Sequence, residues 1–421
     1  MVMADYERLI TKARRPMKLA LITETFPPQI NGVSLTLGKL TDFMAGRGHK
    51  ILVIHPEYDS SASAKVTEAH HFEILQLPAL SLPFYQEIKV PRPPFTGMKK
   101  RLGDFQPDLV HIATEAPLGL SALRYCSQRK WPVVSSFHTN FDSYASHYGI
   151  SWMVPAVARY LRWFHNRTLA TFVPSKPIID RLEYLGFERL KLWPRGVDTD
   201  LYSVNRPGAT HIRSCLGIAL DSFVVGHCGR LAPEKNIDFL EKTFQCFLRD
   251  CPGDHLIVVG DGPSRKSFEK ALKSDSSVGE RVHFTGYKRG EELADYYSAM
   301  NAFAFASRTE TFGNVILEAM SSGLPVVAIA EGGPIDVIQH SVTGELLQPD
   351  AEPAAMAKIL SSWSTNRQSA EIIGFSAREY ASKQTWNTIM GRLESDYLQI
   401  LQKSESNKKR AMEIQIPSPE E

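Results

Sequence analysis

Charge of one sign is missing from this chain. Its 48 lysines and arginines face 46 aspartates and glutamates, a net of +2, so the balance makes no case for nucleic acid. Cysteine is scarce and unpatterned. Cys126, Cys215, Cys228, Cys246 and Cys251 are odd in number and contain no CxxC pair, which points away from a disulfide frame or a zinc site and toward reduced packing residues. No apolar run approaches the ~20 residues of a membrane-spanning helix. Met17 to Thr23 follows Arg14-Arg15 but is too short for a signal segment, and Glu24 ends it. Residues 1–16 read as an optional extension, Met17 as a possible start, and the protein is expected to work inside the cell. Internal repeats are absent, and so is a GxGxxG after the first strand, which speaks against a dinucleotide.

What is present suits two soluble domains: 421 residues, 43% of them hydrophobic, are too many for one ordinary core. The most telling stretch is AFAFASRTETFGNVILEAMSSGLPVVA, from Ala302 to Ala328. An apolar strand runs into the polar loop Ser307 to Thr311. A short helix follows, with Val315, Ile316, Ala319 and Met320 on one face and a stop at Gly323, and then a second strand. Such a βαβ step belongs to a parallel sheet. The helix starts at Phe312, Gly313 and Asn314, and its free N–H groups and positive end favour phosphate. Glu318 lies about 7 Å further along the axis, at 1.5 Å per residue, a span that fits diphosphate to ribose. Glu310, eight positions before Glu318, falls on the other side of the phosphates, where a sugar would be. Either glutamate alone reads as a solvated carboxylate; together with the loop and helix start, the binding role is favoured.

The chain opens with strand Lys18 to Thr23, the loop ETFPPQINGVS, a helix from Ser34 to Gly46 and a strand from Lys50, a Rossmann-like unit in which Gly32 lets backbone approach a ligand. Leu77 to Pro94 reads as a long irregular connection, either an acceptor-side lid or a plain linker. His138 stands just beyond the C-terminal end of strand Pro132 to Ser136, the rim at which open α/β sheets bind ligands. Trp152 to Ala170 reads as an amphipathic helix with Arg159, Arg162, Trp163 and Arg167 on its polar side, a face that suits solvent or an anionic lipid surface. In the second half, Arg230 and Lys235 flank a loop after strand Ser222 to Cys228, where two cations can neutralise a diphosphate leaving group. The Gly260-Asp261-Gly262 triplet reads as a tight turn. Helices follow from Ala354, and the charged tail from about residue 404 to 421 is expected to be disordered.

Glu310-x7-Glu318 within SRTETFGNVILEAMSSGLPVVA closely resembles the signature of retaining glycosyltransferases of family 4. GRLAPEKN, RGVDTDLYS and the NGV loop extend the likeness over nearly the whole chain. The resemblance implies an α/β GT-B fold with two Rossmann-like domains facing a cleft. Residues 17–200 would form the acceptor side, residues 201–386 the nucleotide-sugar side, and a helix at about 387–403 would cross back to the first domain. It implies that Glu310 contacts the donor sugar and Glu318 the ribose, that Gly32, Arg230, Lys235 and the Phe312-Gly313-Asn314 turn hold the diphosphate, and that Gly286 and Tyr287 line the nucleobase. His138 would hydrogen-bond the sugar or steady the β-phosphate, so that His138, Arg230, Lys235 and Glu310 form the catalytic set. No metal or other cofactor is expected, because Asp198-Thr199-Asp200 falls in a turn where the family has a similar GVD sequence without a metal. The partners implied are a GDP- or UDP-linked sugar and a lipid or glycan acceptor, with weak contact at the cytoplasmic face of the inner membrane. Within the family the chain most resembles bacterial GDP-mannose-dependent α-mannosyltransferases and glycosyl- or sulfoquinovosyl-diacylglycerol synthases. A UDP-sugar-dependent diacylglycerol glycosyltransferase is the alternative. A sugar epimerase or a non-catalytic binder could keep Arg230, Lys235 and Glu318, yet has no need of Glu310 and His138.

Overall fold

The computed structural model describes residues 16–29, 31–58, 72–82, 85–138, 154–274 and 276–414. Residues 1–15 of the expected extension, Phe84 with the Tyr85 side chain, and 139–153 lie outside that description.

Two all-parallel sheets carry the molecule. The first has seven strands in the spatial order Glu73–Leu77, Lys50–Pro56, Lys18–Ile22, Leu109–Ile112, Val133–Ser136, Thr171–Val173 and Leu190–Leu192. The second has six: Val282–Gly286, His255–Val259, Val224–Cys228, Ala302–Phe305, Val326–Ile329 and Gly344–Leu347. Runs such as KLALI and VVGHC are apolar almost throughout because helices cover both faces of each sheet. Alternation then sorts the side chains. Leu19 and Leu21 pack with Leu37 and Leu40 of helix Gly32–Gly46, whereas Ala20 and Ile22 pack with Met98 and Leu118 of the two helices on the opposite face.

The last helix, Trp386–Ile414, returns to the first sheet as expected. Ile389, Met390, Leu393 and Tyr397 recur at helical spacing and are buried with Leu19, Phe172 and Trp193. Side chains of this size contribute ~1.5–3 kcal/mol each on full burial, which seats the helix firmly. The outgoing and returning chains run side by side, with Val197 bridged to Thr385 and Gly196 against the backbone of Trp386, where a Cβ would stand 2.6 Å away.

Three expectations change. The Pro-rich segment after Leu77 is an antiparallel hairpin of Ala79–Leu82 and Tyr85–Pro91, because prolines bound the strands instead of interrupting them. The helix expected over 152–170 is described only as Val154–His165. The tail is helical through Ile414, since from Lys403 to Ile414 it contains neither Gly nor Pro and is rich in good helix formers; residues 415–421 of the tail expected to be disordered lie outside the described residues.

Candidate functional site

The sheets present their C-terminal rims to each other, and the residues singled out above collect there. On the second rim, strand Ala302–Phe305 leads through a loop to helix Asn314–Ser321, which starts at Gly313 in the left-handed region (φ 95°), a conformation glycine adopts without penalty. The Phe312 ring is buried in the core, so this residue offers the site only backbone. Its N–H and that of Gly313 donate to the Glu310 carboxylate, to which Lys235 Nζ also donates at 2.7 Å. Burial works to raise the Glu310 pKa, but Lys235 and the two loop N–H groups bring it below the ordinary carboxylate value. Glu310 thus lies against the cation and the helix start.

Two glycine pairs brace these loops. A Cβ at Gly332 or Gly333 would collide with the backbone of Glu310 or Phe312, and Gly333 N–H donates to Glu310 O at 2.8 Å. Gly260 and Gly262 lie equally close to the backbones of Gly229 and Leu231, so the triplet expected to be a mere turn is the support of the Arg230 loop. Arg230 itself is exposed. Lys235 ends the single turn Pro233–Lys235, and Asn236 Nδ2 ties that turn to Ala306 O at 3.2 Å. Glu318 accepts from Tyr297 Oη at 2.9 Å and from Tyr202, and burial pushes its pKa up to about 7. Gly286 has φ 73°, and the 59%-exposed Tyr287 donates from its hydroxyl to Asp261 O.

From the first domain, Asn31 caps helix Gly32–Gly46 by accepting from Ser34 N–H at 2.8 Å. A Cβ on Gly32 would stand 3.5 Å from Asn314 Nδ2, so the starts of two helices face each other across the cleft. Between two positive helix ends an anion is well placed. His138 is also at this rim, with both ring nitrogens engaged: Nε2 with Ser136 Oγ at 2.8 Å and Nδ1 with Arg195 Nη2 at 2.9 Å. Burial, and then the Arg195 charge, hold its pKa well below the ordinary imidazole value. Arg195 was missed in the sequence; the only signal was its place before the GVD turn. Asp198 of that turn accepts from Leu201 N–H at 3.0 Å. On helix Val154–His165, the half-buried Trp163 stacks on Tyr160 and Arg167 lies over its ring (4.2 Å from ring centre), beside the exposed Arg159 and Arg162.

Two parallel α/β domains with their rims facing, paired helix starts, two cations and two carboxylates define a glycosyltransferase of the GT-B fold, an enzyme that moves a sugar from a nucleotide-sugar donor to an acceptor. A model described as "Glycosyltransferase Family 4" matches residues 30–201, and one described as "Glycosyl transferases group 1" matches residues 222–366. The GDP-mannose-dependent alpha-mannosyltransferase of Mycobacterium tuberculosis is 32% identical over 331 residues, covering 79% of this chain and 84% of that protein. Sulfoquinovosyl transferase SQD2 of Arabidopsis thaliana is 28% identical over 390 residues, covering 91% of this chain and 73% of its own. In fold, the crystal structure of Anabaena Alr3699/HepE in complex with UDP-glucose matches with TM-score 0.73 at 23% identity, over 91% of this chain and 100% of that one. The chain belongs to glycosyltransferase family 4. Among the described residues no helix is long and apolar enough to cross a membrane.

Proposed function

We propose that the chain is a retaining, metal-independent hexosyltransferase that takes mannose from GDP-mannose and delivers it to a lipid-borne or glycan acceptor. The observation that carries this is the facing of Gly32 and Asn314 beside Lys235 and Glu310: a slot with positive ends on both sides and a carboxylate within it. A diphosphate in that slot would be neutralised by Arg230, Lys235 and the two helix starts, lowering the cost of charge developing on the leaving group. Glu310, displaced from Lys235 by the phosphates, would be available to the sugar hydroxyls, and Glu318 to the ribose. With no second carboxylate of the first domain in the proposed set to form a covalent intermediate, front-face attack with the leaving phosphate taking the acceptor proton is the reading adopted.

The mannosyltransferase relative favours GDP-mannose; the sulfoquinovosyl transferase relative favours, as second reading, a UDP-linked sugar passed to a diacylglycerol. Thermal melting with GDP, UDP and ADP separates them, because the preferred nucleotide stabilises the folded protein by mass action. The largest shift is expected with GDP; a larger one with UDP selects the second reading, and no shift with any of the three refutes both. With a lipid acceptor the enzyme would work from the cytoplasm at the inner membrane. Exposed Arg159, Arg162 and Arg167 would supply ~1 kcal/mol each near an anionic surface.

A further inference from the structure

A buried cation lies across the cleft from Lys235, and the family signature does not account for it. Arg195 is 5% exposed, donates from Nη1 to Trp193 O at 2.8 Å, lies 5.2 Å from the centre of the Trp193 ring and donates from Nη2 to His138 Nδ1. Those bonds take two of its five N–H groups. Among the described residues no carboxylate forms an ion pair with it; the anion whose field reaches it is Glu310, which is itself bonded to Lys235. Burying a charge without a paired counter-charge is costly, and burial draws the Arg195 pKa down to about 10. Arg195 sits in the chain between Trp193 and the Gly196–Trp386 crossing. A buried guanidinium with no ion pair among the described residues is suited to an anion that arrives with the ligand.

Arg195 also orders its neighbours. A guanidinium only donates, so His138 Nδ1 must accept and Nε2 must carry the proton. Nε2–H then donates to Ser136 Oγ, the Ser136 hydroxyl to His111 Nε2 (2.9 Å), and His111 Nδ1–H to Tyr397 Oη (2.6 Å) on the returning helix.

We propose that Arg195 contacts the donor diphosphate from the first domain, and that His138, held with Nδ1 unprotonated, positions Arg195. This rests on the nucleotide-sugar reading above.

The test is binding of GDP and GMP (UDP and UMP if UDP stabilises the wild type more), by calorimetry, with folding checked by melting. Arg195→Met should weaken the diphosphate about tenfold or more, as loss of a charged hydrogen bond does, and the monophosphate far less; Arg195→Lys should recover part. Asparagine can place an oxygen near the former Nδ1 and glutamine an amide near the former Nε2. His138→Asn should therefore retain most diphosphate affinity, and His138→Gln should lose it as Arg195→Met does. Equal loss of both nucleotides, an unchanged Arg195→Met, or His138→Gln outperforming His138→Asn would overturn the assignment while leaving the donor reading intact. Should Arg195→Met not fold, the Lys variant and the His138 pair decide the matter alone. If neither diphosphate stabilises the wild type, the donor reading falls and this assignment with it.

Discussion

The Lys235–Glu310 pair allows stability and catalysis to be pulled in opposite directions. Both side chains are mostly covered (23% and 21% exposed), with the ammonium 2.7 Å from the carboxylate. In Lys235→Ala the carboxylate keeps only the Phe312 and Gly313 N–H groups, and a buried charge that has lost its partner costs ~1–3 kcal/mol. That should appear as an equal loss in the free energy of unfolding by urea. Adding Glu310→Gln removes the orphaned charge, so the double variant should regain a large part of the loss, a coupling of ~1 kcal/mol or more for groups in contact. Turnover should not follow stability. Lys235→Ala should fall by ~10² or more through loss of transition-state charge stabilisation, and Glu310→Gln should lower it further, not restore it. Additive stability effects would show that the pair is not coupled, and near-normal turnover in Lys235→Ala would sink the role given to its cation.

Glu318 should make donor binding depend on pH. Its folded pKa of about 7 exceeds the ordinary carboxylate value, so the folded protein holds a proton that the unfolded chain has released, and this contribution to stability fades as pH rises from about 4.5 through 7. Ribose hydroxyls donate more strongly to the ionised form; donor KM should therefore climb as pH falls below 7 and flatten in Glu318→Gln, whereas a wild-type KM constant from pH 5.5 to 8.5 would count against the ribose contact. Gly333→Ala drives a Cβ into the Phe312 backbone and should lower both melting temperature and turnover; Gly32→Ala, with ordinary contact to Asn314, should keep the melting temperature and lose turnover. Measuring both properties on both variants checks this, and the reverse pattern would misplace the slot. Liposome co-sedimentation should show salt-sensitive binding that weakens when Arg159, Arg162 and Arg167 are all replaced by alanine; binding unaffected by that change would move the docking surface elsewhere.

Much of this site was legible because parallel sheets are written in local signals. Apolar runs such as KLALI and AFAF announce buried strands, and the glutamates of ETFGNVILEA announce themselves by spacing from a helix start. The Rossmann-like rims then place Gly32, His138, Lys235 and Glu318 at the cleft between the two domains. What stayed hidden depends on tertiary approach. Gly260, Gly262, Gly332 and Gly333 are glycines because another loop's backbone lies against them, which no local pattern records. Arg195 looked like part of a turn because its burial comes from Trp193 and from a helix nearly two hundred residues later. Prolines beside Ala79–Leu82 and Tyr85–Pro91 suggested irregularity because composition cannot tell a proline that ends a strand from one that breaks it. Charge and proline likewise made the end of the last helix, from about residue 404, read as a disordered tail.

The central claim is sugar transfer from a nucleotide diphosphate with the anomeric configuration kept. The most direct measurement is proton NMR of GDP-mannose incubated with the purified chain, recording the first sugar anomer formed, whether transferred or released to water. The account predicts α-configured mannose at the earliest times, with formation lost in Lys235→Ala. A β-configured first product would contradict retention, and a donor left intact beside UDP-linked sugars left equally intact would contradict the enzyme itself.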